Sequence, residues 1–270
     1  MQFDGNRLVI RERGLLDQFD LALFVIRAYA GPLILALAAG ILPAAAFNAW
    51  LLFDLVDPRF NETVPTDYLI YMFLLIIWEI PLATAPATLY LGVSVFQANP
   101  SPAQLAKSFL QALPQLIWHQ VIVRALFVPL VISMALPCTV CPYLNEVILL
   151  ERTPLRSREG QPATYRRSKF LHSGNFGDLF ARWVLALGSG ALLCASLWFT
   201  LEILAGLLFH AWGESQWDFV VFYPLAMWVV VGYFAVVRFL GYLDLRIRRE
   251  GWEVELRMRA EGARLSRQLT

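Results

Sequence analysis

The sequence predicts an all-α fold: a polytopic membrane helix bundle of about six crossings, the fourth short or re-entrant, with amphipathic helices at the membrane interface. Three observations predict it. Of the 270 residues, 58% are apolar and only 16% charged, and mean hydropathy is positive, a composition unsuited to a water-soluble globule. Apolar runs long enough to cross a bilayer, which takes about 20 residues as helix, recur along most of the chain. Lysine and arginine gather on alternate joints between those runs, as they do on the cytoplasmic loops of membrane proteins. The net charge of +1 carries little information, so the placement of the charges has to supply it.

The first apolar run covers roughly 21–53 and is expected to be a retained helix. The "PAAAF" inside it resembles a signal-peptide cleavage site, but a cut near Ala46 implies a leader well beyond the usual length of about 15–30 residues. The second run, 67–97, contains Glu79 with Pro81 and Pro86 just after it, two residues that remove backbone donors and can open a kinked, hydrated pocket beside the acid. In the joint that follows, Leu105, Phe109 and Leu113 fall on one helical face, as in a segment lying in the headgroup plane. Runs three and four, 114–136 and 140–151, occupy the 38 residues from Pro114 to Glu151 and flank "PCTVCP". Two short crossings or one crossing with a re-entrant piece fit that length. The fifth run, 179–210, repeats small residues at Ala186, Gly190 and Cys194, a spacing that lets helices approach closely. The sixth, 218–241, leads into a charged segment, so the expected division is a membrane domain at 1–241 and a cytoplasmic amphipathic tail at 242–270.

Charge fixes the expected orientation. Arg7, Arg11 and Arg13 precede the first run, Lys107 lies in the second joint, the joint after Glu151 holds Arg152, Arg156, Arg158, Arg166, Arg167, Lys169 and Arg182, and the C-terminal part adds Arg238, Arg246, Arg248, Arg249, Arg257, Arg259, Arg264 and Arg267. The opposite joints, "DLVDPRFNETVPTD" and "AWGESQWD", contain Arg59 as their single base. Both termini are therefore expected on the cytoplasmic side of a bacterial cytoplasmic membrane. An even number of crossings is then needed between the 97–113 and 152–178 joints. A loose internal echo runs through the same region: "YLGVSVFQANPSP" leads into "AQLAKSFLQALPQL", and "NEVILLERTP" leads into "ATYRRSKFLHSGNFGDLF". Each unit is a helix, a proline-containing break and a short amphipathic piece.

The segment "RRSKFLHSGNFGDLF" after the acid-terminated "NEVILLE", together with the closing "YLDLRIRREGW", resembles a six-helix bacterial membrane family. That family includes the membrane domain attached to some glycerophosphodiester phosphodiesterases, and uncharacterised stand-alone proteins of the same kind. The resemblance implies a fold and a location. It does not imply phosphodiesterase activity, because the catalytic barrel of that family is separate from its membrane domain.

Ionisable groups inside apolar runs cost several kcal/mol unless paired or hydrated, so each calls for a role. Glu79 and Arg124 are both expected near mid-depth, as a buried ion pair or part of a pathway. Arg27 and His119 fall near the inner boundary, where snorkelling is cheap. Glu202 and His210 share a face but are too few for a metal site, and no cofactor is implied. Cys138 and Cys141 form a C-x-x-C that can close a disulfide on the outer face. Tyr165, Arg166, Arg167 and Lys169 form the expected lipid-headgroup contact, with bases on phosphate and the aromatic ring at the interface. Arg246, Arg248, Arg249 and Trp252 mark a surface for a membrane or cytoplasmic protein partner. In the tail, Glu253 with Arg257 and Glu255 with Arg259 form i,i+4 pairs, favouring helix over strand.

No hydrolase elbow, phosphate loop, "HExxH" or nucleotide fingerprint occurs, and no aromatic-basic patch for nucleic acid. The expected function is a non-enzymatic scaffold or accessory subunit of an envelope process, in contact with the lipid bilayer and anionic lipid headgroups. A transporter or lipid-translocating protein using Glu79 and Arg124 is the alternative, and a thiol-redox protein using Cys138 and Cys141 the weaker one.

Overall fold

The computed structural model describes residues 14–56, 65–95, 100–124, 141–155, 157, 162–174, 176–210 and 217–250. Among these the regular elements are all helical. They are α1 (Leu15–Ala28), α2 (Ala30–Leu51), α3 (Thr66–Ala83), α4 (Ala85–Ser94), α5 (Pro102–Leu116), α6 (Leu144–Glu151), α7 (Thr164–His172), α8 (Phe176–Phe209) and α9 (Tyr223–Glu250). Wide π turns at Ile117–Val123 and Asp218–Phe222 extend α5 and precede α9.

Four stretches are long and apolar enough to cross a membrane: Ala30–Leu51, Thr66–Ser94, Gly177–Phe209 and Asp218–Glu250. They coincide with the first, second, fifth and sixth apolar runs. The fourth run yields the eight residues of α6, about 12 Å at 1.5 Å per residue, against a hydrocarbon core of about 30 Å. Residues 125–140, where the remaining crossings were expected, lie outside the described residues.

Helix α9 is the central element and packs against α1, α2, α3, α4, α7 and α8. Of its apolar stretch 44% is buried, against 6% for α2 and for α8, which puts those two at the periphery. Leu185, Leu192, Phe199 and Leu207 project outward from α8, an apolar surface that water would not tolerate and hydrocarbon does. The small residues on the inner side of α8 do what their spacing predicts: Gly190 faces the Phe234 ring, and Cys194 packs with the Met227 and Trp228 cluster.

Close backbone contact also joins α2 to the end of α3. A β-carbon on Gly40 would lie 2.0 Å from the Ala83 carbonyl oxygen, so only glycine fits there. The long helix breaks at that point, between Ala83 and Ala85. Pro86 has no N–H to continue the ladder, and the Thr84 hydroxyl donates to the Ile80 carbonyl at 2.7 Å.

The amphipathic helix α5 turns Leu105, Phe109, Ala112 and Leu116 onto Leu89, Ile148 and Leu149 of α4 and α6. Its apolar stripe therefore serves the bundle core, and Leu113 is not part of it, because steps of four, three and four follow the 3.6-residue period. The two echoed units, α4 to α5 and α6 to α7, are tied together. Gln115 Nε2 donates to the Thr153 carbonyl at 3.0 Å and to the Thr164 hydroxyl.

The expected boundary at 241/242 falls inside α9. Tyr242, Asp244, Leu245 and Ile247 are buried, and Tyr242 and Leu245 share a cluster with Tyr143, Val147, Leu171 and Leu179. Residues 242–250 thus belong to the bundle, while the tail from Gly251 onward lies outside the described residues.

Candidate functional site

The break after α3 exposes backbone carbonyls inside the bundle, and polar side chains answer them. Asn145 Nδ2 donates to the Pro81 carbonyl at 2.7 Å, and its Oδ1 accepts from Gln120 Nε2 at 3.0 Å. Gln120 is buried on the π turn, whose wider winding re-aims one residue relative to an α-helix. The next residue, Glu146, is fully buried, and its Oε1 accepts from Arg238 Nε on α9 at 2.7 Å. Arg238 Nη2 also reaches the Thr84 hydroxyl at 3.4 Å, so the pair sits against the helix break. This is a buried ion pair within the bundle. An unpaired carboxylate there would cost several kcal/mol, which the partner offsets only with good geometry and further hydrogen bonds.

One layer towards the end of α9, Asp244 accepts from Gln18 at 3.3 Å and pairs with Arg182 at 3.4 Å and with Arg248. Arg182 also pairs with Asp178 at 2.9 Å. His172 Nδ1 donates to the Ser168 carbonyl at 2.7 Å, and Nε2 accepts from the Tyr143 N–H at 3.3 Å, the pattern of a neutral imidazole. Burial pushes its pKa below the ordinary value, with the nearby Arg249 guanidinium acting in the same direction.

Between these two polar layers and α8 lies a cavity of about 660 Å³. Its walls are mostly apolar, with Val123, Leu179, Trp183, Leu187, Phe234 and Val237 among them. Three guanidiniums line it, from Arg124, Arg182 and Arg238, along with Gln120, Asn145 and His119. No aspartate or glutamate is among the described lining residues; the acids that balance Arg182 and Arg238 stand behind them. A largely apolar hollow with a few convergent polar groups is the usual form of a small-molecule site. No three His, Cys, Asp or Glu side chains come together among the described residues as a metal site would require.

The expected site residues are distributed differently. Glu79 accepts from Asn48 Nδ2 of α2 at 2.8 Å. Arg124 instead directs Nη1 and Nη2 to the Trp78 and Ile77 carbonyls at 3.4 and 3.5 Å and lies 5.5 Å from the Trp78 ring centre. Only Arg124 of the two lines the cavity. In the "YRRSKF" segment, Tyr165, Arg166 and Lys169 are exposed, as a headgroup contact needs. Arg167 is turned inward to Glu151 of α6 and Glu250 of α9, and hydrogen bonding to Glu151 raises its pKa further. Tyr242 donates to the same Glu151 carboxylate at 2.8 Å.

Of the three arginines assigned to a partner surface, Arg246 and Arg249 are partly buried, while Arg248 is exposed as such a surface needs. Arg246 bonds Glu250 at 2.8 Å, Arg248 pairs with Asp244, and Arg249 has its Nε and Nη2 buried without a hydrogen-bond partner. Trp252 and Cys138 lie outside the described residues, while Cys141 lines the cavity. The sequence counts Arg238 only among the cytoplasmic bases and gives Glu146 no role, although both stand inside apolar runs, "LNEVILL" and "VVRFLG", the same signal that singled out Glu79.

Comparison with protein-family models, with curated proteins and with solved structures finds no match to this chain.

Proposed function

We propose that this chain is a multi-pass protein of a bacterial-type cytoplasmic membrane, with both termini cytoplasmic, that binds an anionic amphiphile such as a phospholipid in the cavity beside α8. The observation that carries the reading is the set of three arginines, Arg124, Arg182 and Arg238, around a largely apolar hollow whose described lining contains no carboxylate. A phosphate group suits the guanidiniums and acyl chains suit the walls. The orientation rests on the asymmetry of basic residues, and the resemblance to the six-helix membrane family supports the same location. A lipid-translocating protein and a lipid-holding accessory subunit of an envelope complex both contain this binding step, and we place the protein in that class.

The test is photo-crosslinking of the full chain, reconstituted in nanodiscs, with a photoreactive phosphatidylglycerol, followed by peptide mapping. Labelling is expected in 117–124, 179–187 and 234–238, and Ala186→Phe, which fills the cavity, should suppress it there. Labelling confined to outward positions of α2 and α8, unchanged by Ala186→Phe, would sink the reading.

A further inference from the structure

A second hollow, of about 490 Å³, lies away from that cavity, where the end of α4, the first turns of α5 and the residue after α6 meet. Lys107 and Arg152 reach it from two different parts of the chain, and Ser101, Ser108, Gln104 and Gln111 supply further donors. Val93, Pro100 and Leu105 form an apolar floor. No carboxylate is among its described lining residues.

The position of Arg152 has a specific cause. Its φ of 48° is in the left-handed region that non-glycine residues seldom occupy. That turn sends successive side chains in opposite directions. Glu151 goes to Arg167 and Tyr242 inside the bundle, while Arg152 Nη2 donates to the Ser108 hydroxyl at 2.9 Å. The neighbouring acid is therefore engaged elsewhere, and the guanidinium is held at the rim of the hollow by a neutral hydroxyl. Such a bond orients the charge without neutralising it.

We infer that this hollow binds the phosphate group of a phosphate ester, independently of the cavity beside α8. The guanidinium offers planar paired donors, the ammonium a point charge, and the hydroxyls and carboxamides complete a shell for tetrahedral oxygens. Lipid headgroups and soluble phosphates share this chemistry. The apolar floor suits the glycerol and first methylenes of a lipid.

The experiment compares the full chain in detergent with the Lys107→Gln/Arg152→Gln and Arg166→Gln/Lys169→Gln double variants; Lys107→Gln alone, at an exposed position, serves if the first double variant folds poorly. Native mass spectrometry with added phosphatidylglycerol or phosphatidylcholine reads lipid selectivity. Thermal unfolding with inorganic phosphate or chloride reads soluble anion binding. Loss of phosphatidylglycerol selectivity on the order of tenfold in Lys107→Gln/Arg152→Gln, and clearly less in Arg166→Gln/Lys169→Gln, supports the site with a lipid source. Retained selectivity with loss of phosphate-dependent stabilisation supports it with a soluble source. Equal losses in both double variants indicate a diffuse basic surface and overturn it, as does no change in either readout.

Discussion

Arg238 Nε donates to Glu146 Oε1 at 2.7 Å, joining the short helix α6 to the centre of α9 at the level where the helix of residues 66–94 breaks. Removing one partner leaves the other buried and uncompensated. Glu146→Ala should therefore lower the unfolding free energy by about 3–5 kcal/mol, whereas Glu146→Gln combined with Arg238→Met should recover much of the loss. Unfolding midpoints in detergent, measured across the double-mutant cycle, check this; additive effects would rule out direct coupling.

Gly40 lies against the Ala83 carbonyl with no room for a β-carbon. Gly40→Ala should cost about 1–3 kcal/mol despite the better helix propensity of alanine. Gly31, on the same helix with nothing near its β position, is the control, and Gly31→Ala should be neutral or mildly stabilising. The thermal midpoint should fall clearly for Gly40→Ala and should not fall for Gly31→Ala.

His172 gives the stability a pH dependence whose sign follows from its lowered pKa. The unfolded state takes up a proton as pH falls through about 6.5, before the buried imidazole does. The contribution is thus fully present above about pH 6.5 and is lost as pH falls toward the folded-state value. Thermal midpoints between pH 8 and pH 5 should decline more steeply for the native chain than for His172→Gln. Equal slopes would remove His172 from the account.

Arg166 and Arg167 are neighbours with opposite surroundings. Arg167→Ala breaks the contacts with Glu151 and Glu250 and should cost about 1.5–3 kcal/mol, the range for hydrogen bonds to charged groups. Arg166→Ala should stay within about 0.5 kcal/mol, as exposed substitutions do, but should weaken flotation with phosphatidylglycerol vesicles. Reversal of these two outcomes would show that Arg166 is the clamp.

The helical class, the four long apolar helices and the break near Pro81 and Pro86 were legible because composition, run length and proline act locally. The close approach at Gly190 was legible for the same reason. Partner choice was not. Glu79 pairs with Asn48 of α2, 31 positions away, and a neutral asparagine carries no charge signal to reveal it. Arg167 and Lys169 look alike in sequence, but helical rotation points one into the bundle and the other outward. Glu146 and Arg238 are 92 positions apart and become partners only through the packing of α6 on α9. The cavity itself is a space between elements, and no local pattern encodes a space.

Among the described residues, helix α8 makes its most extensive contacts with α9 and the turn that precedes it, and it forms one wall of the cavity. Its 34 residues extend about 51 Å, well beyond a hydrocarbon core of about 30 Å. A helix that long relieves the excess by tilting, to a degree that its packing on α9 and the thickness of the surrounding bilayer decide together. A change in bilayer thickness would then alter the width of the cavity without touching any residue inside it.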